Sequence, residues 1–271
     1  MIRWEVRGAV GLATLDRPER RNALSVEMCH QLRGHLAEHR ALRAVVLTGA
    51  GSAFCAGADL GHPLATSSGD TPGPGGAGDT PNPGGEDEFR PAFEPLLDAV
   101  VDYPAPVIAA VNGPALGGGT QLVVACDLRV AGPDAAFGIP AAQLGVMLAP
   151  ENIQRLAHLV GQAHARDILL TGRRIGGEEA LRMGLVQRQE PDALAGALAL
   201  AEEISALAPL SVAGHKAALN ALARHTGWSR GEDDALLAEI DRLVARAFAS
   251  EDLKEGLAAF AEKRRPGFAG R

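Results

Sequence analysis

Two apolar runs in this chain each break into a turn built from the smallest side chains, and that repetition limits the fold more than any other feature. The first turn is GAGSAFCAGADL, Gly49 to Leu60, and the second is NGPALGGGTQLVVACDLR, Asn112 to Arg129. Small side chains let another group approach the backbone closely. The glycines Gly117, Gly118 and Gly119 precede an apolar helical run. N–H groups therefore stand at a helix N-terminus, where the dipole favours an anion. Taken alone, the first turn also reads as a tight strand-to-helix corner and the second as close packing of helix on strand. Together they describe a two-donor cradle for one oxygen that carries negative charge, such as a carbonyl or thioester oxygen. Donors aimed at charge that grows in a transition state are each worth on the order of 3 kcal/mol.

Strand and helix alternate around these turns. Val10 to Leu15 and Ala44 to Thr48 read as strands, and Ser25 as the N-cap of a helix from Val26 to Arg40 with Met28, Leu32 and Leu36 on one face. Pro106 to Val111 is a buried strand, and Leu122 to Val130 begins helical and ends strand-like. The pattern predicts an α/β layered core over residues 1–190. From about Pro191 onward only helical periodicity remains, which predicts a C-terminal helical subdomain over 191–271. Gly61 to Glu88 is rich in Gly, Pro, Ser, Thr and Asp. It is expected to be a mobile loop at the rim of the cradle.

Bulk properties exclude several classes. A chain of 271 residues can bury a full core. A net charge of −7 argues against a nucleic-acid partner. No apolar run approaches the roughly 20 residues of a membrane span, and MIRWEVRGAV lacks the layout of a signal peptide. Three widely spaced cysteines, Cys29, Cys55 and Cys126, then favour reduced thiols in a cytoplasm. No cysteine spacing suggests a zinc site, and no metal is expected. Gly49-Ala50-Gly51 lacks the third glycine of a dinucleotide loop, with Phe54 in its place. His35 and His39 share a polar helix face and read as a solvated pair. His215-Lys216 could meet a phosphate, but on a helix it reads as exposed charge.

Five motifs in order resemble the enoyl-CoA hydratase/isomerase family, the crotonase superfamily. They are Arg17 to Leu24, Phe54 to Leu60, Asn112 to Arg129, Thr171-Gly172 with Ala180 to Val186, and Phe260 to Arg264. The resemblance implies a crotonase-type spiral of ββα units with a C-terminal helical trimerisation region, assembled as a trimer or a dimer of trimers. It implies an acyl-CoA thioester as ligand and no cofactor beyond that coenzyme A. The oxyanion donors would be the N–H groups of Ala58 and Gly118. Arg20, Arg21, Ala23, Ala56, Asp59 and Leu60 would line the coenzyme A site, with Phe260 and Lys263, from a neighbouring subunit, closing over the nucleotide end. Asp59 could also tie its own turn by accepting backbone N–H bonds.

The departures from the family pattern bear on chemistry. A hydratase of this family holds and activates a water with two glutamates. The resemblance places the first at Gln121 and the second at Ala141, after Phe137-Gly138-Ile139-Pro140. Gln121 can hydrogen-bond a water but cannot take its proton, and Ala141 can do neither. Ala149, the place of an isomerase acid, is equally empty. Glu151 is the nearest remaining carboxylate. It reads either as a relocated general base in an apolar pocket, or as an ordinary acid in the first turn of a helix that Pro150 begins. The pattern looks most like a mycobacterial subgroup that binds long acyl-CoA without hydrating it. Two functions stay open: an acyl-CoA-binding protein that serves lipid-synthesis enzymes, or a hydratase (a lyase) or isomerase that uses Glu151.

Overall fold

The computed structural model describes residues 1–59, 85–224 and 234–271. The chain opens with β1 (Ile2–Arg7), β2 (Val10–Leu15), α1 (Val26–Glu38) and β3 (Ala44–Gly49). Next come α2 (Gly85–Val101), β4 (Val107–Val111), β5 (Ala115–Leu116), α3 (Gly118–Ala125), β6 (Leu128–Ala131) and β7 (Ala136–Gly138). Then follow α4 (Pro150–Thr171), β8 (Ile175–Gly176), α5 (Gly177–Arg182) and β9 (Arg188–Gln189). The helices α6 (Ala193–Ser205), α7 (Pro209–Arg224), α8 (Asp234–Phe248) and α9 (Glu251–Glu262) close the chain. The main sheet runs β1-β2-β3-β4-β6-β9, with β1 antiparallel to β2 and every later pairing parallel. A second sheet, β5-β7-β8, carries the later turns.

The central strands are apolar throughout because both faces are covered. Ala13, Leu15, Val45, Leu47, Ala109 and Val111 face one core with Met28, Leu32 and Leu36 of α1 and Leu96 and Leu97 of α2. Val10, Leu12, Val46, Ile108 and Ala110 face a second core with Ala197, Leu200 and Ala201 of α6. Odd and even positions thus serve different layers, and each buried Leu or Val contributes about 1.5–3 kcal/mol. The expected boundary near residue 190 falls between β9 and α6, but α6 is one of the two layers on the main sheet. The helical C-terminal region therefore shares its first helix with the core.

The Ser25 hydroxyl accepts the Met28 N–H at 3.2 Å and starts α1, as its sequence predicts. The helix stops at Glu38, two residues before Arg40. Of the expected loop over 61–88, residues 61–84 lie outside the described residues. Gly85 to Glu88 are helical, as the first turn of α2. An apolar stripe of Phe89, Phe93, Leu96, Leu97 and Val100 drives that helix onto the core.

Two other expectations change. Lys216 is buried, not exposed: its Nζ lies 2.6 Å from Asp127 Oδ2 and donates to the Ala105 carbonyl at 3.0 Å. His215 beside it is exposed. His35 and His39 are half-buried, because both rings pack on Trp4, at centroid distances of 5.2 and 5.0 Å. The three cysteines are free and buried, and burial pushes each thiol up to about 12. Among the described residues no single helix is long and apolar enough to cross a membrane.

Candidate active site

The ends of β3 and β4 are tied together before either turn begins. The Asn112 side chain accepts the Gly49 N–H at 3.2 Å and donates to the Gly51 carbonyl at 2.9 Å. The two turns then pair as a short parallel bridge. Cys55 N–H donates to the Pro114 carbonyl at 3.1 Å, and Leu116 N–H donates to the Cys55 carbonyl at 2.9 Å. Ala58 lies three residues beyond Cys55, and Gly118 three beyond Ala115. Equal offsets along paired segments bring these two residues together. A Cβ built on Gly118 would stand 3.6 Å from the Ala58 nitrogen.

Ala58 is also bridged to Leu24 on its other side. Leu24 N–H donates to the Gly57 carbonyl at 2.8 Å, and Asp59 N–H donates to the Leu24 carbonyl at 2.7 Å. In such a bridge the N–H of the middle residue points away from its partner strand. The Ala58 N–H thus points away from Leu24 and meets no acceptor among the described residues. Gly118 opens α3, so its N–H has no partner inside the helix, and none is found among the described residues. Gly57 and Gly117 make both turns possible, at φ 117° and 55°, where a side chain would be strained. The Thr120 hydroxyl donates to the Ala115 carbonyl at 2.6 Å, shares that proton with the Gly138 carbonyl at 2.9 Å and accepts the Gly138 N–H at 3.1 Å, which pins α3 to β5 and β7. The Phe93 ring of α2 walls this space, 3.5 Å from that same Gly118 Cβ.

The first sequence motif grips the first turn. Arg21 and Asn22 are left-handed, at φ 48° and 58°. The buried Asn22 carboxamide donates to the carbonyls of Ala50 and Ala53, at 2.9 and 2.7 Å. The Arg21 carbonyl accepts the Ala56 N–H at 2.9 Å. Side chains clamp Asp59: Arg17 and Arg20 donate to its two oxygens at 2.5 and 3.0 Å. Ala23 is buried and Arg21 exposed beside this clamp. Leu60 lies outside the described residues.

Gln121 sits one turn after Gly118, on the same side of α3. Asn152 Nδ2 donates to Gln121 Oε1 at 3.1 Å. Arg155 donates to Asn152 Oδ1 at 2.8 Å and to Asp98 Oδ1 at 2.6 Å. This chain joins α3, α4 and α2, and sequence reasoning missed Asn152, Arg155 and Asp98. The only signal was the i, i+3 spacing of Asn152 and Arg155. Ala141 is the second residue of the short helical turn Pro140–Leu144 and packs half-buried on the core. Ala149 is buried as the N-cap of α4. Glu151 is exposed in the first turn of α4, after Pro150. Of the two readings of Glu151, its exposure supports the acid in the first turn of a helix, and no apolar pocket encloses it among the described residues. Phe260 is 88% exposed, and Lys263 caps the end of α9. The tail after Lys263 is bound by Arg43, which donates to the Phe268 carbonyl at 2.7 Å. Arg43 precedes β3, so this tail lies at the opposite end of that strand from the two turns.

The enoyl-CoA hydratase/isomerase family model matches residues 5–271. A probable enoyl-CoA hydratase of Rhodobacter capsulatus is 38% identical over 275 residues, covering 100% of this chain and 98% of that one. The probable enoyl-CoA hydratase echA6 of Mycobacterium leprae is 38% identical over 270 residues, with 97% of each chain covered. Among solved structures, an enoyl-CoA hydratase/carnithine racemase from Magnetospirillum magneticum has a TM-score of 0.83 at 33% identity, covering 100% of this chain and 96% of that one. An enoyl-CoA hydratase from a Polaromonas species has a TM-score of 0.83 at 30% identity, with 99% of each chain covered.

Proposed function

The chain belongs to the enoyl-CoA hydratase/isomerase family and has its crotonase fold, and from that premise we propose that it binds acyl-CoA thioesters while hydrating them weakly or not at all. In this reading the thioester oxygen rests on the Ala58 and Gly118 amides. The carrying observation is the orientation of Gln121. Arg155 has donors only, so the Asn152 atom it meets is an oxygen. Asn152 must then turn its NH2 group to Gln121, whose facing atom is again an oxygen. The free end of Gln121 is its NH2. A donor thus stands where the family resemblance places the first glutamate, and a donor cannot remove a proton from water. Ala141, at the second position, offers no polar atom.

Coenzyme A would be held along Arg20, Arg21, Ala23, Ala56, Asp59 and Leu60. The exposure of Phe260 and the distance of its tail from the turns support the view that a neighbouring subunit supplies Phe260 and Lys263, in a trimer or dimer of trimers. A cytoplasmic role beside lipid-synthesis enzymes, like that of the mycobacterial acyl-CoA-binding subgroup, fits a site that holds thioesters without consuming them.

A second reading, an active hydratase or isomerase, rests on Glu151, which is covalently next to Asn152 and so within one residue of the Gln121 network. One pair of measurements separates them. Calorimetric titration with saturated acyl-CoAs of graded length should show saturable binding. Turnover of crotonyl-CoA and a longer 2-enoyl-CoA should stay below the roughly 1 s⁻¹ where ordinary enzymes begin. Ordinary turnover would overturn the binding-only reading. If that turnover survived in Glu151→Gln, the second reading would fall as well.

A further inference from the structure

We propose that His35, Glu38 and His39 form a binding site for a divalent transition-metal ion on the outer face of α1, apart from the acyl-CoA site and independent of its function. One ligand atom from each residue lies within 4.8 Å of the other two. The spacing explains this: positions i, i+3 and i+4 of a helix share one face. Two imidazoles and a carboxylate suit zinc, nickel or copper better than magnesium or calcium, which prefer oxygen alone.

Helical spacing alone would leave three mobile side chains, but these rings are held. Trp4 of β1 stacks on His35 with 13° between the ring planes and meets His39 at 35°. His39 Nδ1 lies 2.9 Å from the His35 carbonyl oxygen. A carbonyl only accepts, so Nδ1 carries the proton and the lone pair is on Nε2. A backbone acceptor that fixes the tautomer in this way is a recurrent support for metal-binding histidines. Tyr103 in turn donates to the His39 carbonyl and fixes the end of the helix. His35 Nδ1 is sealed from solvent without a hydrogen-bond partner. Its Nε2 is therefore the nitrogen left to reach an ion. Glu38 is exposed, and no salt bridge engages it among the described residues. Two fixed Nε2 atoms and an uncommitted carboxylate leave the remaining coordination positions to water.

Trp4 supplies the readout, because an open-shell ion held by the two rings would quench its emission. In a Trp228→Phe background Trp4 is the sole indole. Titration of the full chain with nickel or copper should quench Trp4 to a plateau at one equivalent, and zinc should compete for the same equivalent. His35→Gln and His39→Gln should each weaken binding by about tenfold or more, and Glu38→Gln should weaken it by less. Quenching without a one-equivalent plateau would overturn the site. So would a plateau that persists unchanged in the double variant His35→Gln, His39→Gln. Should those variants fail to fold, Glu38→Ala, on an exposed position, still decides: unchanged competition by zinc would remove the carboxylate from the site and overturn the three-ligand proposal.

Discussion

Gly119 faces the Cys55 carbonyl so closely that an added Cβ would stand 2.3 Å from its oxygen. The neighbouring Gly118 has room, since its added Cβ would meet nothing nearer than the Phe93 ring at 3.5 Å and the Ala58 nitrogen at 3.6 Å. Two adjacent glycines therefore differ: Gly119 is needed for packing between the turns, while Gly118, the proposed thioester donor, has room beside the Ala58 amide. Gly119→Ala should cost about 3 kcal/mol or more, since backbone cannot yield as a side chain can. Gly118→Ala should stay within about 1 kcal/mol of the parent, yet its methyl would crowd the Ala58 amide and weaken acyl-CoA binding by about tenfold or more. Urea unfolding and calorimetry on the two variants check this. Equal stability losses would refute the division of labour.

Placing acids at Gln121 and Ala141, the two positions the proposed function treats as lacking them, tests that proposal from the other side. The Asn152 NH2 that donates to Gln121 would donate equally to a carboxylate, so Gln121→Glu needs no repacking. Ala141→Glu sits half-buried at the start of a short helical turn. The pair Gln121→Glu, Ala141→Glu should raise hydration of crotonyl-CoA by about 100-fold over the parent, the lower end for a positioned acid–base group. Single variants should gain little, because holding and deprotonating one water takes both groups. A parent that already hydrates at an enzymatic rate would make this gain impossible.

The sequence showed the central strands and α1 clearly, since Met28, Leu32 and Leu36 repeat with the helix and Ser25 caps it. It also showed that the turns at Ala58 and Gly118 belong together. It hid features decided by distant partners. Lys216 looked exposed because a helical pattern does not reveal Asp127, 89 residues earlier. His35 and His39 looked solvated because Trp4 reaches them only through packing of β1 on α1. Asn152 was invisible for the same reason: nothing near it in the chain announces Gln121. The start of α2 was obscured by Pro91 and Pro95, which lie inside that helix and ordinarily argue against one.

The C-terminal tail should loosen in acid. Paired hydrogen bonds from Arg264 to Glu255, at 2.6 and 2.8 Å, and then the Gly267 N–H at 2.8 Å, hold the Glu255 carboxyl down at about 2. Its unfolded value is about 4.3. A group depressed in the folded state contributes stability that is complete above the unfolded value and lost as pH falls through the folded one. Amide protection in residues 264–271, measured relative to the intrinsic exchange rate at each pH, should thus fall between about pH 4.3 and 2, ahead of protection in β3. Glu255→Gln should show the lower protection already at pH 7. A tail whose protection ignores both changes would show that Asp252, which accepts the Ala269 and Gly270 N–H groups, and Arg43, which donates to the Phe268 carbonyl, hold it without Glu255.

Lys216 joins α7 to the core through three acceptors: Asp127 Oδ2 at 2.6 Å, the Ala105 carbonyl at 3.0 Å and the Val100 carbonyl at 3.3 Å. An ammonium has three donors, so all are used. Burial pushes the Asp127 carboxyl up, and Lys216 opposes that rise. Lys216→Met would keep the aliphatic stem but leave a half-buried carboxylate and two carbonyls short of a donor. Removing one partner of a buried pair costs about 3–5 kcal/mol. Asp127 also accepts the Val107 N–H at 2.7 Å, a bond that an asparagine oxygen can keep. Lys216→Met with Asp127→Asn should therefore be more stable than Lys216→Met alone. Urea unfolding at one fixed chain concentration measures both, since assembly would shift the midpoint with concentration. A Lys216→Met loss within about 0.5 kcal/mol, the range of an ordinary surface change, would mean that the pair does not anchor α7.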